Sequence, residues 1–177
     1  MSALKFTSDL HLGHKNICKY RTDFSSSDNH DSFIFENLVR DIKKRDTLYF
    51  LGDVAFTKEW LAEIKSIKCQ HKKLICGNHD RDHHTMKELC DAFDSVDVLL
   101  SKRNMWMTHC PIHPQELRGR EFNIHGHLHQ NVVDRPIYEY GNYVGEEIDP
   151  RYLNVCVEHT DWKPITFEDL MKRSRIC

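Results

Sequence analysis

Three short apolar runs in the first half of the chain each stop at a polar motif, and this recurrence constrains the fold more than any other feature. The run within Met1 to Thr7 (Ala3, Leu4, Phe6), then Thr47 to Leu51, then Lys72 to Cys76 read as strands. They lead into Asp9-Leu10-His11, Gly52-Asp53 and Gly77-Asn78-His79-Asp80 respectively. Between them, apolar residues recur at helical spacing. Phe33, Ile34, Leu38, Val39 and Ile42 predict a helix over Asp31 to Lys44, with Asp28 or Asn29 as its cap. Glu59 to Ile67 and Met86 to Phe93 predict two more. The order β, α, β, α, β, α argues for a sheet with helical crossovers, and ligands of such a sheet belong beyond the carboxyl ends of its strands. The polar motifs stand at those ends.

After Asp94 the pattern becomes mainly β. Val96 to Leu100, Asn104 to Thr108, Phe122 to His125, Asn131 to Val133, Ile137 to Tyr140 and Tyr152 to Val157 read as successive strands. Phe167 to Arg175 reads as a short helix or a frayed end. Two more polar motifs fall here, His109 and Gly126-His127-Leu128-His129. At 177 residues, without repeats or linkers, the expectation is one domain spanning 1–177.

Thirteen histidines are the unusual count, since imidazole is both a common metal ligand and a proton carrier near neutral pH. A formal charge of -2 gives no global footprint of a nucleic-acid binder. Seven cysteines without a CxxC pair argue against a disulfide framework, and the start of the chain lacks an apolar signal region. No segment is apolar enough for a membrane span, so a cytoplasmic location is expected.

Each motif has a plain reading when taken singly. Asp9 and His11 could form a polar turn, His109 a hydrogen-bonded structural histidine, and Gly52, Gly77 and Gly126 ordinary turn glycines. Together they offer carboxylate, amide and imidazole donors, a mixture suited to manganese, iron, nickel, cobalt or zinc rather than calcium. Two ions about 3.5 to 4 Å apart need a ligand that spans them, and Asp53 is the candidate. His14, His83, His84, His113 and His125 are expected to face solvent or to support the ligands from behind. Arg21, Arg118 and Arg120 could meet phosphate but are not assigned to the site, and Cys110 is expected to be a buried small apolar group.

The five blocks, in the order DxH, GDxx, GNHD, H and GHxH, resemble the signature of the calcineurin-like metallophosphoesterase superfamily, over Asp9 to His129. The resemblance is closest to its small bacterial and phage members, through Ser8 to Ile17 and Asn154 to Ile165. It implies a four-layer αββα sandwich of two mixed β-sheets with flanking helices. It also implies two divalent metal ions, manganese first, with iron, nickel, zinc, cobalt or magnesium as alternatives. Asp9, His11 and His129 would hold one ion, Asn78, His109 and His127 the other, and Asp53 would bridge them. Hydroxide between the ions would attack phosphorus, and His79 would act as general acid.

One departure concerns that acid. Phosphoprotein phosphatases continue GDxxDRG and orient the histidine with the second Asp, whereas Phe56 stands there in this chain, which makes a protein phosphatase a poor match. The expected substrate is a phosphomonoester or phosphodiester, a phosphorylated small molecule, a nucleotide or a nucleic-acid end, read by the loops Lys15 to Asn29 and Pro111 to Glu121. The rival readings are a non-catalytic metal-binding interaction scaffold and a metallonuclease subunit. The first is disfavoured because all eight site residues are present, the second because the chain leaves little room for DNA-binding segments. Oligomeric state is not readable from the sequence.

Overall fold

The computed structural model describes residues 2–173. Its first half follows the expected alternation: β1 (Leu4–Thr7), α1 (Ser27–Asp41), β2 (Thr47–Phe50), α2 (Lys58–Ser66), β3 (His71–Ile75), α3 (Asp80–His83), α4 (Met86–Ala92) and β4 (Ser95–Asp97). The second half contains β5 (Leu99–Lys102), β6 (Met105–Thr108), β7 (Phe122–His125), β8 (Asp134–Glu139), β9 (Asn142–Ile148), β10 (Tyr152–Asn154), β11 (Ile165–Thr166) and α5 (Phe167–Arg173). No helix among the described residues is long and apolar enough to cross a membrane.

Helix starts are set by hydroxyl caps, which satisfy backbone N–H groups that have no partner within the helix. Ser26 accepts from Asn29 N, Thr57 from Trp60 N, and Thr85 forms a reciprocal capping box with Glu88. Helix α1 therefore begins a turn earlier than its apolar spacing suggested, and its cap is Ser26 rather than Asp28 or Asn29.

Two mixed sheets result. The first has the order β11-β1-β2-β3-β4, with β1 to β4 parallel and β11 antiparallel. The second has the order β10-β7-β6-β5, with only the β5–β6 pair antiparallel. Side-chain alternation divides the core between two layers. Leu48 and Phe50 point to the helices and pack with Ile34, Leu38, Leu61, Ile64 and Leu89. Tyr49 and Leu51 point the other way and meet Met105, Met107, Ile124 and Leu153 from the second sheet. Each such fully buried side chain contributes roughly 1.5 to 3 kcal/mol. The outer face of the second sheet carries a thin cover: Trp106 donates to Glu116 O of the 3-10 helix Pro114–Leu117, and Arg120 lies 3.8 Å over its ring.

The second half departs from its sequence pattern at three of the expected strands. Val96 to Leu100 is not one strand: β4 pairs with the first sheet and β5 with the second, and the chain passes between them at Val98, which is 72% exposed. Asn131 to Val133 is irregular, and pairing starts at Asp134 in the hairpin β8–β9. The expected strand at Tyr152 to Val157 ends at Asn154 and gives way to the 3-10 helix Val157–His159. Helix α5 covers Phe167–Arg173, and the last residues of the expected helix lie outside the described residues.

Both sheets deliver their strand carboxyl ends to one edge. The parallel register of β1 and β2 sets Leu51 N on Thr7 O and Asp9 N on Gly52 O. The second sheet brings Gly126 N to His109 O, and a bridge between Ser8 and Cys156 ties the two edges together.

Candidate metal centre

The loops after β1, β2, β3, β6 and β7 meet at this edge and bring the predicted ligands together. His11 Nε2 lies 3.7 Å from Asp9 Oδ1 and 3.9 Å from Asp53 Oδ2. His129 Nε2 is 3.9 Å from the same Asp9 oxygen. His109 Nε2 is 3.4 Å from the same Asp53 oxygen, 3.0 Å from Asn78 Oδ1 and 3.2 Å from His127 Nδ1. One Asp53 oxygen thus faces ring nitrogens of both His11 and His109.

The chemistry of these donors fits divalent cations. Asp9 Oδ1 and both ring nitrogens of His11 are buried without a hydrogen-bond partner, a costly arrangement unless something else satisfies them. Asp9, His11 and His129 form one group with converging ligand atoms, and Asp9, Asp53 and His109 another. Burial pushes the Asp9 carboxyl up, but attraction to His11 and His109 outweighs it and holds the group well below the usual carboxylate range. Burial likewise disfavours charge on His109, yet Asp53 and Asp9 raise its imidazole to about 9. The site attracts positive charge, and in His109 it takes that charge as a proton.

Backbone strain sharpens the case. Asp9, His11, Asp53, His127 and His129 all have φ between 50° and 69°. Such a left-handed backbone costs a residue other than glycine roughly 1 to 3 kcal/mol and clusters at functional sites. The glycines answer to a different requirement. A Cβ at Gly77 would overlap the Asp53 carboxylate, and one at Gly126 would overlap the Ser8 hydroxyl and the Asp9 carboxylate. Neither has a positive φ, so close approach rather than turn freedom demands glycine there.

Several supporting residues escaped sequence reasoning. Glu158 accepts from Arg21 Nε at 2.9 Å and from His129 Nδ1 at 2.9 Å, which leaves His129 Nε2 free to face Asp9. Arg21 also donates to the carbonyls of Leu10 and Asp9, so it is a buried brace rather than a free cation. Ser8 Oγ, Cys156 Sγ and His127 N all donate to Asp9 Oδ2, at 2.5, 3.0 and 2.9 Å. Asp80 accepts from the backbone of Asp53, Val54 and Gly77, locking two ligand loops together. The signal for Asp80 was present in its own motif; Glu158 had none beyond its acidic character.

His79 sits at the rim. Its backbone N–H donates to Asp53 Oδ1 at 2.9 Å, and its Nδ1 lies 3.3 Å from Asp82 Oδ2. Asp82, one helical turn on, is the exposed carboxylate beside that ring. One other expectation needs correction. Cys110 is exposed, not buried, because it follows His109 where the chain leaves the sheet. His84 and His125 are buried and donate to Ala55 O and Gly126 O, while His113 is exposed and accepts from Gln115 N at the start of the 3-10 helix. Arg118 pairs with Glu116 and Arg120 bonds Ser101, so neither turns to the site.

A sequence model of the calcineurin-like phosphoesterase superfamily domain matches residues 24–144, well over half of the chain. The chain belongs to that superfamily. It is 26% identical over 176 residues to an uncharacterized protein of Methanocaldococcus jannaschii, covering 97% of this chain and 91% of that relative. It is 27% identical over 164 residues to the Gene 66 protein of Mycobacterium phage D29, covering 75% and 81%. A crystal structure of a protein of unknown function from Aquifex aeolicus shares the fold, with a TM-score of 0.67 at 23% identity over 98% of this chain and all of the other. The calcineurin-like fold and the donor groups of this member therefore coincide at one edge of the sandwich.

Proposed function

We propose that the protein hydrolyses phosphoester bonds with a pair of divalent metal ions. Asp9, His11 and His129 would hold one ion, Asn78, His109 and His127 the other, with Asp53 shared. The observation that carries this reading is the set of buried, unpartnered atoms on Asp9 and His11 beside the Asp53 carboxylate. The family resemblance points to manganese first, with iron, nickel, zinc, cobalt or magnesium as alternatives, and carboxylate and imidazole donors suit such ions. When bound, such a pair supplies Lewis-acid polarisation of phosphoryl oxygens and acidifies water at neutral pH.

The chain's own residues do the rest. Asp80 and Gly77 hold Asp53 and Asn78 at a fixed separation, so little reorganisation is needed as charge develops on phosphorus. Asp82 orients His79 through Nδ1, leaving Nε2 to deliver a proton to the departing oxygen. Substrates would be phosphomonoesters or phosphodiesters of small molecules or nucleotides. The test is hydrolysis of p-nitrophenyl phosphate and bis-p-nitrophenyl phosphate after chelation and manganese reloading. Activity should vanish and return, and His79→Ala should lower kcat by roughly a hundred- to ten-thousandfold while metal content stays intact. Turnover without metal, or joint loss of metal and activity in His79→Ala, contradicts the assignment.

A further inference from the structure

Beside the ligands His11 and His129 opens a groove of 510 Å³, within the roughly 300 to 1,000 Å³ range of small-molecule sites. One wall is a row of flat rings. Tyr20 and His14 lie nearly parallel at 18°, with centroids 6.3 Å apart. His14 meets Phe56 at 4.7 Å, and Phe56 meets His79 at 5.3 Å. The row therefore runs from the proposed general acid outward to Tyr20, which is 74% exposed. Gln130 and Asn131 also line the groove, and their amides offer both donors and acceptors.

This combination of surfaces selects a ligand class. A ring platform favours a flat π-system, and the amides favour one with hydrogen-bonding edges. The groove's one guanidinium, Arg21, is already committed to Glu158 and two carbonyls, so it has no charge to spare for a second phosphate. A polyanion is thus less well served than a single phosphate attached to an uncharged ring.

Building on the metal-dependent reading of the site, we propose that the groove receives a nucleobase: the substrate is a nucleoside phosphoester whose phosphate reaches the metal ligands while its base lies against Tyr20 and His14. Stacking of a base on an aromatic side chain contributes about 1 to 3 kcal/mol, which corresponds to roughly five- to 150-fold in affinity.

The experiment is calorimetric binding to the whole manganese-loaded protein carrying His79→Ala, which is expected to keep its metal and lose turnover, so binding is read without hydrolysis. The four common nucleoside monophosphates are compared with ribose 5-phosphate and phenyl phosphate. At least one nucleotide should bind about tenfold or more tightly than ribose 5-phosphate and more tightly than phenyl phosphate. Tyr20→Ala should shrink that preference at least fivefold, and Tyr20→Trp should preserve it. Equal affinity of nucleotides and ribose 5-phosphate overturns the proposal. So does phenyl phosphate matching the best nucleotide, or a preference that Tyr20→Ala leaves intact. Hydrolysis of p-nitrophenyl phosphate and bis-p-nitrophenyl phosphate by the unsubstituted protein, run in parallel, tells the two readings apart: activity on either without nucleotide preference sinks the nucleobase assignment alone, whereas nucleotide preference without activity on both sinks the catalytic one.

Discussion

In the first donor set Asp9 and His11 are buried and keep unpartnered atoms, whereas in the second Asn78 and His127 are exposed and lean on His109 within hydrogen-bond distance. The first is held open from behind. Glu158 and Arg21 fix His129, while Ser8, Cys156 and His127 N anchor one oxygen of Asp9 and leave the other bare. The second has closed on itself, and only His109 is fixed from behind, through Nδ1 to Leu51 O. Preorganisation lowers the cost of binding, so the first position should fill before the second.

Three perturbations break or sharpen this contrast. The largest effect belongs to the shared carboxylate. Asp53→Asn should weaken both positions and lower phosphodiesterase kcat roughly a thousandfold or more, read by steady-state rates and metal analysis of the same sample. Retention of two tightly held ions would show that Asp53 is not shared. Next, Glu158→Gln should weaken the first position alone, by about ten- to a hundredfold, the usual effect of removing a carboxylate that orients a ligating imidazole. Equilibrium titration with manganese should then show the two affinities drawing together.

The smallest effect is on pH dependence. His109 is protonated up to about 9 in the metal-free protein, so an ion entering at pH 7 must displace that proton. Acid favours the proton and base favours the metal. Affinity at the second position should therefore climb as pH rises from 7 toward 9, by at most about tenfold per unit, and level off above. Calorimetry in buffers of different ionisation enthalpy counts the released proton, and a flat affinity over this range would exclude His109 from the ligands.

The polar motifs were legible in the sequence because each follows a strand, whereas their assignment to two ions came from the family resemblance. Helix and strand identities in the first half were legible from local spacing. What brings the motifs together was not. The Arg21–Glu158 contact links residues 137 apart, and Cys156 reaches Asp9 across 147 positions. The division into two sheets was equally hidden: Val96 to Leu100 is one apolar run whose ends pair with different sheets. Strand β9, with Gly145, Glu146 and Glu147, lacks an apolar face because it lies in an exposed hairpin. Asp82 escaped because it lies outside every motif, in the one-turn helix α3 without apolar spacing.

Asp53 is proposed to lie between two metal positions. Anomalous diffraction from crystals equilibrated with excess manganese addresses it directly. Two peaks should flank the Asp53 carboxylate, one contacting Asp9, His11 and His129 and the other Asn78, His109 and His127, with the first the stronger at limiting metal. A single peak, or none within reach of Asp53, would contradict the account.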